Sequence, residues 1–236
     1  MDDRSIAIMQ PYFFPYIGYF QLIQAVDVFV FYDDVNYINR GWINRNNILV
    51  NHQAQLISIP CKQASQNKLI NEVELGADDK TCRKLLSTIQ MAYKKAPFFP
   101  KVFPIFEKTL SNKDFNIAQL ASRSVKEVAT YLGLSVIFKN SSEHFLNREL
   151  KKADRLIDIC HQESILNYVN PPGGRELYTQ AYFSEKKINL RFLIPKAVTY
   201  PQYGKPFVPW LSILDVLMFN DKEIINNELL NAYDLE

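Results

Sequence analysis

The stretch from Ile6 to Arg45, IAIMQPYFFPYIGYFQLIQAVDVFVFYDDVNYINRGWINR, most constrains what this chain can fold into. Ile6-Ala7-Ile8-Met9 is an apolar run of strand length, stopped by Gln10-Pro11. Pro11 and Pro15 each fix φ and lack an N–H, so the segment between them cannot be a central strand or a helix interior. Gly18 follows, then Phe20, Leu22, Ile23 and Val26 at helical spacing, and a second apolar run, Val28-Phe29-Val30-Phe31, ends at Tyr32-Asp33-Asp34. Strand, turn, helix, strand is a βαβ unit, which implies parallel strands and a right-handed crossover. Ligands of open parallel sheets sit outside the carboxyl ends of the strands. Gln10 and Asp33-Asp34 stand at two such ends.

Beyond Arg45, Asn47–Val50 and Gln55–Pro60 read as a β-hairpin around Asn51-His52-Gln53. Lys62–Asn71 is polar and reads as a loop, and Glu72–Leu75 as a short strand. A helical region follows. Asp78 is its N-cap, Leu85, Leu86, Ile89 and Tyr93 form a stripe, and Pro97 ends it. Pro100 and Pro104 punctuate the next turn, with a second helix over 103–110. A third runs over 114–132 and stops at Gly133. These helices read as a subdomain at 78–132 inserted in a single α/β domain over 1–236. Alternation then resumes. Ser135–Lys139 is a strand, Ser141–Leu150 a polar loop, Lys151–Cys160 a helix and Ser164–Val169 a strand. Pro171–Gly174 is a tight turn, Arg175–Phe183 a short helix and Ile188–Ile194 the final strand. Tyr200–Pro209, with its prolines and glycine, is a loop. Trp210–Phe219 and Lys222–Leu230 are helices. The expected fold is a Rossmann-like, mostly parallel α/β sheet with a β-hairpin and a helical insertion.

Composition narrows the function classes. With 236 residues and 47% hydrophobic content the chain can bury a sizeable core. A net charge of +2 without a basic block gives no case for nucleic-acid binding. The 3 cysteines, Cys61, Cys82 and Cys160, have neither metal nor disulfide spacing and read as buried thiols. His52, His144 and His161 fit neither a metal set nor a triad. The start MDDRS is polar and acidic, and no apolar run is long enough for a membrane span, so a cytoplasmic protein is expected.

Four segments carry candidate chemistry. In the first, Gln10, Pro11, Gly18 and Tyr19 frame a loop and helix start, where free N–H groups and the positive dipole end can hold a phosphate. A rigid packed turn is the structural reading of the same residues. In the second, Asp33 and Asp34 can bind a sugar hydroxyl, hold a cation or act as a base, and Arg40 and Arg45 can grip a phosphate or carboxylate. Tyr37, Asn44 and Trp42 lie beside them. A solvated charged turn is the plainer alternative. In the third, Gly173 and Gly174 allow close backbone approach to a ligand, with Tyr178 just beyond, although Pro-Gly also marks any tight turn. In the fourth, the loop around Tyr203 can cover the sheet edge. Ser212 and Asp215 at its end read as a capping box.

Several segments taken together resemble one family. QPYFFPYIGYFQLI, DVFVFYDDVNYINRGWINRN and the tail from Tyr203 to Asn220 look like the WbqC-like proteins, and KKADRLIDIC and PPGGRELY fall where that family has a helix and a Pro-Gly turn. Asn170-Pro171 departs from the family's pattern at that turn. The family takes its name from an O-antigen gene cluster. The resemblance therefore implies a role in bacterial surface polysaccharide, building or decorating a nucleotide-linked sugar. The strand–loop–helix start also resembles nucleotidyltransferase-type α/β folds, but Pro15 and Tyr19 stand where those enzymes carry histidines.

The leading expectation is a transferase acting on a nucleotide-linked amino sugar, by N-acyl or aminoacyl transfer from an acyl donor. Asp33, Asp34 and Arg45 are the expected catalytic residues. Gln10, Pro11, Gly18, Tyr19, Tyr37, Arg40, Asn44, Gly173, Gly174, Tyr178 and Tyr203 are the expected substrate contacts. A nucleotidyltransferase-like enzyme acting on a sugar phosphate and a non-catalytic binding subunit are the alternatives. The sequence names no cofactor.

Overall fold

The computed structural model describes residues 3–111 and 116–236. Its frame is a six-stranded sheet. Strands β1 (Ser5–Met9), β2 (Val28–Phe31), β5 (Ile137–Asn140), β6 (Asn167–Asn170), β7 (Asn189–Pro195) and β8 (Tyr233–Leu235) lie in the order β5-β2-β1-β6-β7-β8. The first five are parallel, and β8 closes the edge antiparallel to β7. A separate antiparallel hairpin pairs β3 (Arg45–Val50) with β4 (Gln53–Ser58), two residues longer at its start than the sequence suggests and two shorter at its end. The mixed α/β, mostly parallel architecture expected from the βαβ start is thus present.

Both faces of the sheet are covered, which is why its strands are apolar runs rather than alternating ones. Ala7, Phe29, Phe31, Val169 and Leu193 face one core. That core also takes side chains from helices α1 (Ile17–Gln24), α2 (Asp79–Tyr93), α3 (Phe99–Leu110), α4 (Ile117–Leu132) and α8 (Ile213–Phe219), and from the hairpin. Ile6, Ile8, Val28, Val30, Tyr168 and Leu190 face the second core, under α6 (Lys152–Gln162) and α7 (Gln180–Glu185).

Several boundaries differ from expectation for identifiable reasons. Asp78 caps α2 by accepting from the Thr81 N–H at 2.8 Å, as its position predicts. Helix α3 begins at Phe99. Pro100 falls in its first turn, where no N–H partner is needed, and Pro104 lies within it, while Val102, Phe106 and Leu110 are buried along its inner side. Asn116 caps α4, and the expected start at Asp114 lies outside the described residues. Gly133 ends α4 at φ +76°, a left-handed conformation suited to glycine. Glu72–Leu75 is not a strand: a single 3₁₀ turn, Ile70–Glu72, leads into isolated bridges at Glu74 and Leu75.

Three differences bear on function. Ser141–Leu150, read from its polarity as a loop, opens with a short helix, α5 (Ser141–His144), and buries Ser141 and Asn147. Arg175–Tyr178 is a tight turn, and the helix there is α7, capped by Thr179. Asp215 does not complete a capping box. Ser212 accepts from the Leu214 N–H, but the Asp215 carboxylate accepts from Tyr93 Oη at 2.9 Å and Gln202 Nε2 at 2.7 Å. The last helix is broken into α9 (Lys222–Ile224) and a π-turn over Ile225–Leu229, and β8 follows where no strand is evident from the pattern.

Candidate functional site

The strand order fixes where a ligand can sit. From β1 the chain winds outward through β2 to β5, then returns past β1 to β6 and β7. The direction reverses between β1 and β6, and a crevice opens at such a switch point outside the strand ends. Gln10 follows β1 there, and Asn170 ends β6. Asp33 and Asp34 follow β2, and Lys196 follows β7.

The two carboxylates after β2 are buried and fully engaged. Asp33 Oδ1 accepts from the Ser142 N–H at 2.9 Å and Ser141 Oγ at 3.0 Å, and Oδ2 from Ser142 Oγ at 2.7 Å. Asp34 Oδ1 shares the same Ser141 hydroxyl proton. Asp34 Oδ2 accepts from Arg155 Nη2 at 2.6 Å and Arg148 Nε at 3.0 Å. Burial alone raises a carboxyl pKa, but the bonds from Arg155, Ser141 and Arg148 together outweigh it and hold Asp34 below its ordinary value. Arg155 also lies 4.8 Å from the centre of the Tyr32 ring. Its side chain is 4% exposed, whereas that of Arg148 is 52% exposed, so Asp34 anchors one buried and one open guanidinium.

The turn after β6 lies close by along the same edge. Tyr32, beside Arg155, and Tyr178, beyond the turn, both pack against the second core. Gly174 packs directly on Asn170: a Cβ there would lie 2.3 Å from Asn170 Nδ2. Gly173 has open space around it. Asn170 is buried, and its Nδ2 has no hydrogen-bond partner among the described residues.

The loop after β1 is packed and aromatic. Phe13 and Phe14 are fully buried, and Tyr19 Oη donates to the Gln10 carbonyl at 2.8 Å. The Tyr16 ring folds back over Gly18, where any Cβ would lie 2.4 Å from it. Tyr16 meets Trp210 edge-on at 5.8 Å. Trp210 is 72% exposed and held at φ +61°, a strained conformation for a bulky residue. Buried bonds fix it: the Ser212 N–H donates to the Asn47 carbonyl, the Ile213 N–H to the Pro15 carbonyl, and Ser212 Oγ to the Phe14 carbonyl, each at 2.8 Å. Strain held this firmly is characteristic of ligand sites. Two cavities share Tyr16 and Trp210. One, of about 280 Å³, adds Tyr12, Trp42 and Asn46. The other, of about 460 Å³, runs along α1 to the segment after β7.

The remaining expected residues serve other contacts. Tyr37 Oη donates to Asn44 Oδ1 at 2.9 Å, and Asn44 Nδ2 to the Ile59 carbonyl at 2.8 Å. Burial and the neighbouring Cys61 push the Tyr37 hydroxyl up to about 12, against the pull of Arg45. Arg45 Nε donates to the Gly41 carbonyl at 2.9 Å and Nη2 to that of Arg40, whose own backbone has φ +60°. These bonds brace the loop leading into β3. Tyr203 packs edge-on against Phe219 at 4.7 Å, and its carbonyl meets His52 Nδ1 at 2.9 Å. With Lys94 and Lys95 it borders an open hollow of about 650 Å³ between the hairpin turn and the end of α2, which includes no strand of the parallel sheet.

Gln10, Pro11, Gly18, Tyr19, Asp33, Asp34, Gly173, Gly174 and Tyr178 therefore lie on segments leaving one sheet edge. Sequence reasoning missed Ser141, Ser142, Arg148, Arg155 and Tyr16. Arg155 gave a signal, being a charge set on the buried stripe with Leu156, Ile159 and Cys160. The serines gave none.

The profile of the WbqC-like protein family matches residues 10–227. The chain belongs to the WbqC-like protein family. This WbqC-like chain is also similar to a Mycobacterium tuberculosis protein named "Uncharacterized protein Rv1507c". The two are 30% identical over 223 residues, covering 92% of this chain and 94% of the relative. No solved structure matches this WbqC-like chain. Among its described residues no helix is long and apolar enough to cross a membrane.

Proposed function

We propose that this protein is a transferase of bacterial surface polysaccharide biosynthesis that modifies a nucleotide-linked amino sugar by N-acyl or aminoacyl transfer. The observation that carries the reading is the occurrence, at one sheet edge, of a buried amide nitrogen without a partner among the described residues, Asn170 Nδ2, and an arginine pair that Asp34 holds in place. A buried unpaired amide costs about 1–3 kcal/mol, a cost that a bound acceptor oxygen removes. Arg148, open to solvent and oriented by Asp34, suits a diphosphate oxygen. Gly173 has free space for a ligand against its backbone. Arg45, with N–H groups beyond those given to Gly41 and Arg40, flanks the loop that carries Trp42.

In the transfer, the sugar amine attacks the acyl carbonyl and the bond from that carbonyl to its leaving group breaks. The nitrogen gives up one proton, and the leaving group takes the electron pair. Asp34, held ionised by its arginines, positions them, Asp33 fixes α5 against the turn through Ser141 and Ser142, and the amine proton leaves to water. Placing the reactants together supplies most of the acceleration in such a reaction.

Calorimetry tests the reading. Nucleotide sugars are expected to bind without a divalent cation and to bind more weakly to Arg148→Ala. Binding of nucleoside triphosphates alone, and only with Mg²⁺, would replace this reading with a nucleotidyltransferase. Failure of both ligand classes would leave a binding subunit.

A further inference from the structure

The cavity of about 460 Å³ between the first turn of α1 and the segment joining β7 to α8 has a chemistry of its own. Tyr16 and Trp210 stand at one side of it, and Tyr200 and Phe207, edge-on to each other at 5.1 Å, line it further along. Gln21 lines it too, with its side chain fully buried. Gln21 Nε2 is tied down, donating to the Leu229 carbonyl at 2.8 Å and the Ala232 carbonyl at 3.1 Å. That fixes the amide's orientation and leaves Oε1 as its free end, without a donor among the described residues. Ala197–Thr199, which also line it, have no regular secondary structure.

We infer that this cavity seats the nucleobase of the substrate, a planar nitrogen heterocycle that packs on Tyr16 and Trp210 and gives an N–H to Gln21 Oε1. The inference rests on the transferase reading above for the identity of the ligand. Three ligand chemistries compete, and the lining decides among them. An alkyl chain would fill the apolar space but leave Gln21 Oε1 unpaired, at the cost that attends any buried orphan acceptor. A saturated sugar would carry several hydroxyls into a wall that pairs few of them. A base combines apolar π faces with a small number of edge donors, which matches aromatic walls around one unmet acceptor. The spacing also fits. The acidic cluster after β2 and the cavity beside β7 are separated by three strand intervals, about 14 Å across the sheet edge. The base is therefore seated at one end and the amino sugar at the other, with the diphosphate between.

Isothermal titration of the full chain with uridine, thymidine, adenosine and guanosine tests this without requiring any transfer activity. At least one nucleoside is expected to bind, and Trp210→Ala is expected to weaken it by about tenfold or more, because stacking of a base on an aromatic ring contributes that much. Trp210 is exposed, so its loss does not threaten the fold. The Gln21 contact is tested from the ligand side. N3-methyluridine in place of uridine, or N6,N6-dimethyladenosine in place of adenosine, removes the donor and is expected to bind more weakly. Equal binding of nucleotide sugars to wild type and Trp210→Ala would overturn the placement of the base and leave the transferase reading intact. Tighter binding of free glucosamine than of any nucleoside, lost in Trp210→Ala, would overturn it in favour of a sugar seat. Absence of binding by nucleosides and nucleotide sugars alike would overturn both readings.

Discussion

Arg155 Nη2 lies 2.6 Å from Asp34 Oδ2, with both side chains almost wholly removed from solvent. Arg155 belongs to α6 and Asp34 follows β2, so the pair ties a helix on one face of the sheet to the strand end that carries the candidate site. Asp34→Ala would leave the guanidinium buried without its anion, and the expected loss is about 3–5 kcal/mol of stability. Arg148→Ala removes an open partner of the same oxygen and is expected to cost less than about 1 kcal/mol. Urea denaturation of the two variants measures the contrast. Equal, small effects would mean that the buried pair does not hold the site. The lowered pKa of Asp34 adds a direction: its contribution is complete above the ordinary carboxylate range and fades as acid brings the pH down through the lowered value.

The same pair marks the boundary of what a linear reading can recover. The βαβ start, the hairpin and the later alternation are visible because each depends on local periodicity and on punctuation by proline and glycine. Asp33 and Asp34 stand out because they end an apolar run. Their partners do not: Ser141, Ser142, Arg148 and Arg155 lie more than a hundred positions away, and only the parallel pairing of β2 with β5 brings α5 beside the acidic turn. The polarity of 141–150 suggests solvent exposure, yet Ser141 is buried because the carboxylates supply the bonds that water otherwise would. Asp215 fits a local capping pattern, but tertiary contacts from Tyr93 and Gln202 capture its carboxylate. The exposure and backbone strain of Trp210 are set by tertiary contacts and are not announced by its residue type.

The two adjacent glycines of the turn after β6 separate backbone space from packing. Nothing lies within 4 Å of a Cβ built on Gly173, so Gly173→Ala is expected to leave stability within about 0.5 kcal/mol of wild type. A Cβ on Gly174 would meet Asn170 Nδ2 at 2.3 Å and Cγ at 2.9 Å, and Asn170 is buried. Gly174→Ala must displace that side chain, and the expected loss is about 1–3 kcal/mol. Thermal melts of both variants, followed by nucleotide-sugar titration, compare them. If Gly174→Ala folds and binds as wild type does, Asn170 has no part in the site.

Gly18 offers a different test, in which stability and binding are expected to move apart. Its Cα lies under the Tyr16 ring, and an alanine methyl would come within 2.4–2.7 Å of that ring's atoms. Tyr16 is only half-buried, so it can swing away without disturbing the core. Alanine is the better helix former by about 1 kcal/mol, so Gly18→Ala is expected to leave the melting temperature unchanged or slightly raised. Nucleoside binding is expected to fall, because the displaced ring no longer forms its side of the cavity. A variant that keeps wild-type affinity would remove Tyr16 from the binding surface.

The last prediction concerns Asp215, which is fully buried under the segment that carries Trp210. Burial raises its pKa from 3.8 to about 6, against hydrogen bonds from Tyr93, Gln202 and Tyr200 that favour the charged form. The sign follows from proton counts. Between the two values the folded chain holds a proton that the unfolded chain has released. The contribution of this group is therefore greatest at the acid end and is lost as the pH rises through the folded value. A shift of that size corresponds to about 3 kcal/mol. Asp215→Asn cannot titrate, while the remaining carboxylates, Asp34 included, behave alike in both proteins and cancel in the comparison. The stability of wild type relative to Asp215→Asn, from urea titrations at pH 4, 5, 6 and 7, is expected to fall by about 2.4 kcal/mol across the series, because at pH 4 part of the unfolded carboxyl is still protonated, with most of the change complete by pH 6–7. A gap that stays constant with pH would show that Asp215 has the same pKa folded and unfolded, its bonds to Tyr93 and Gln202 offsetting the cost of its burial.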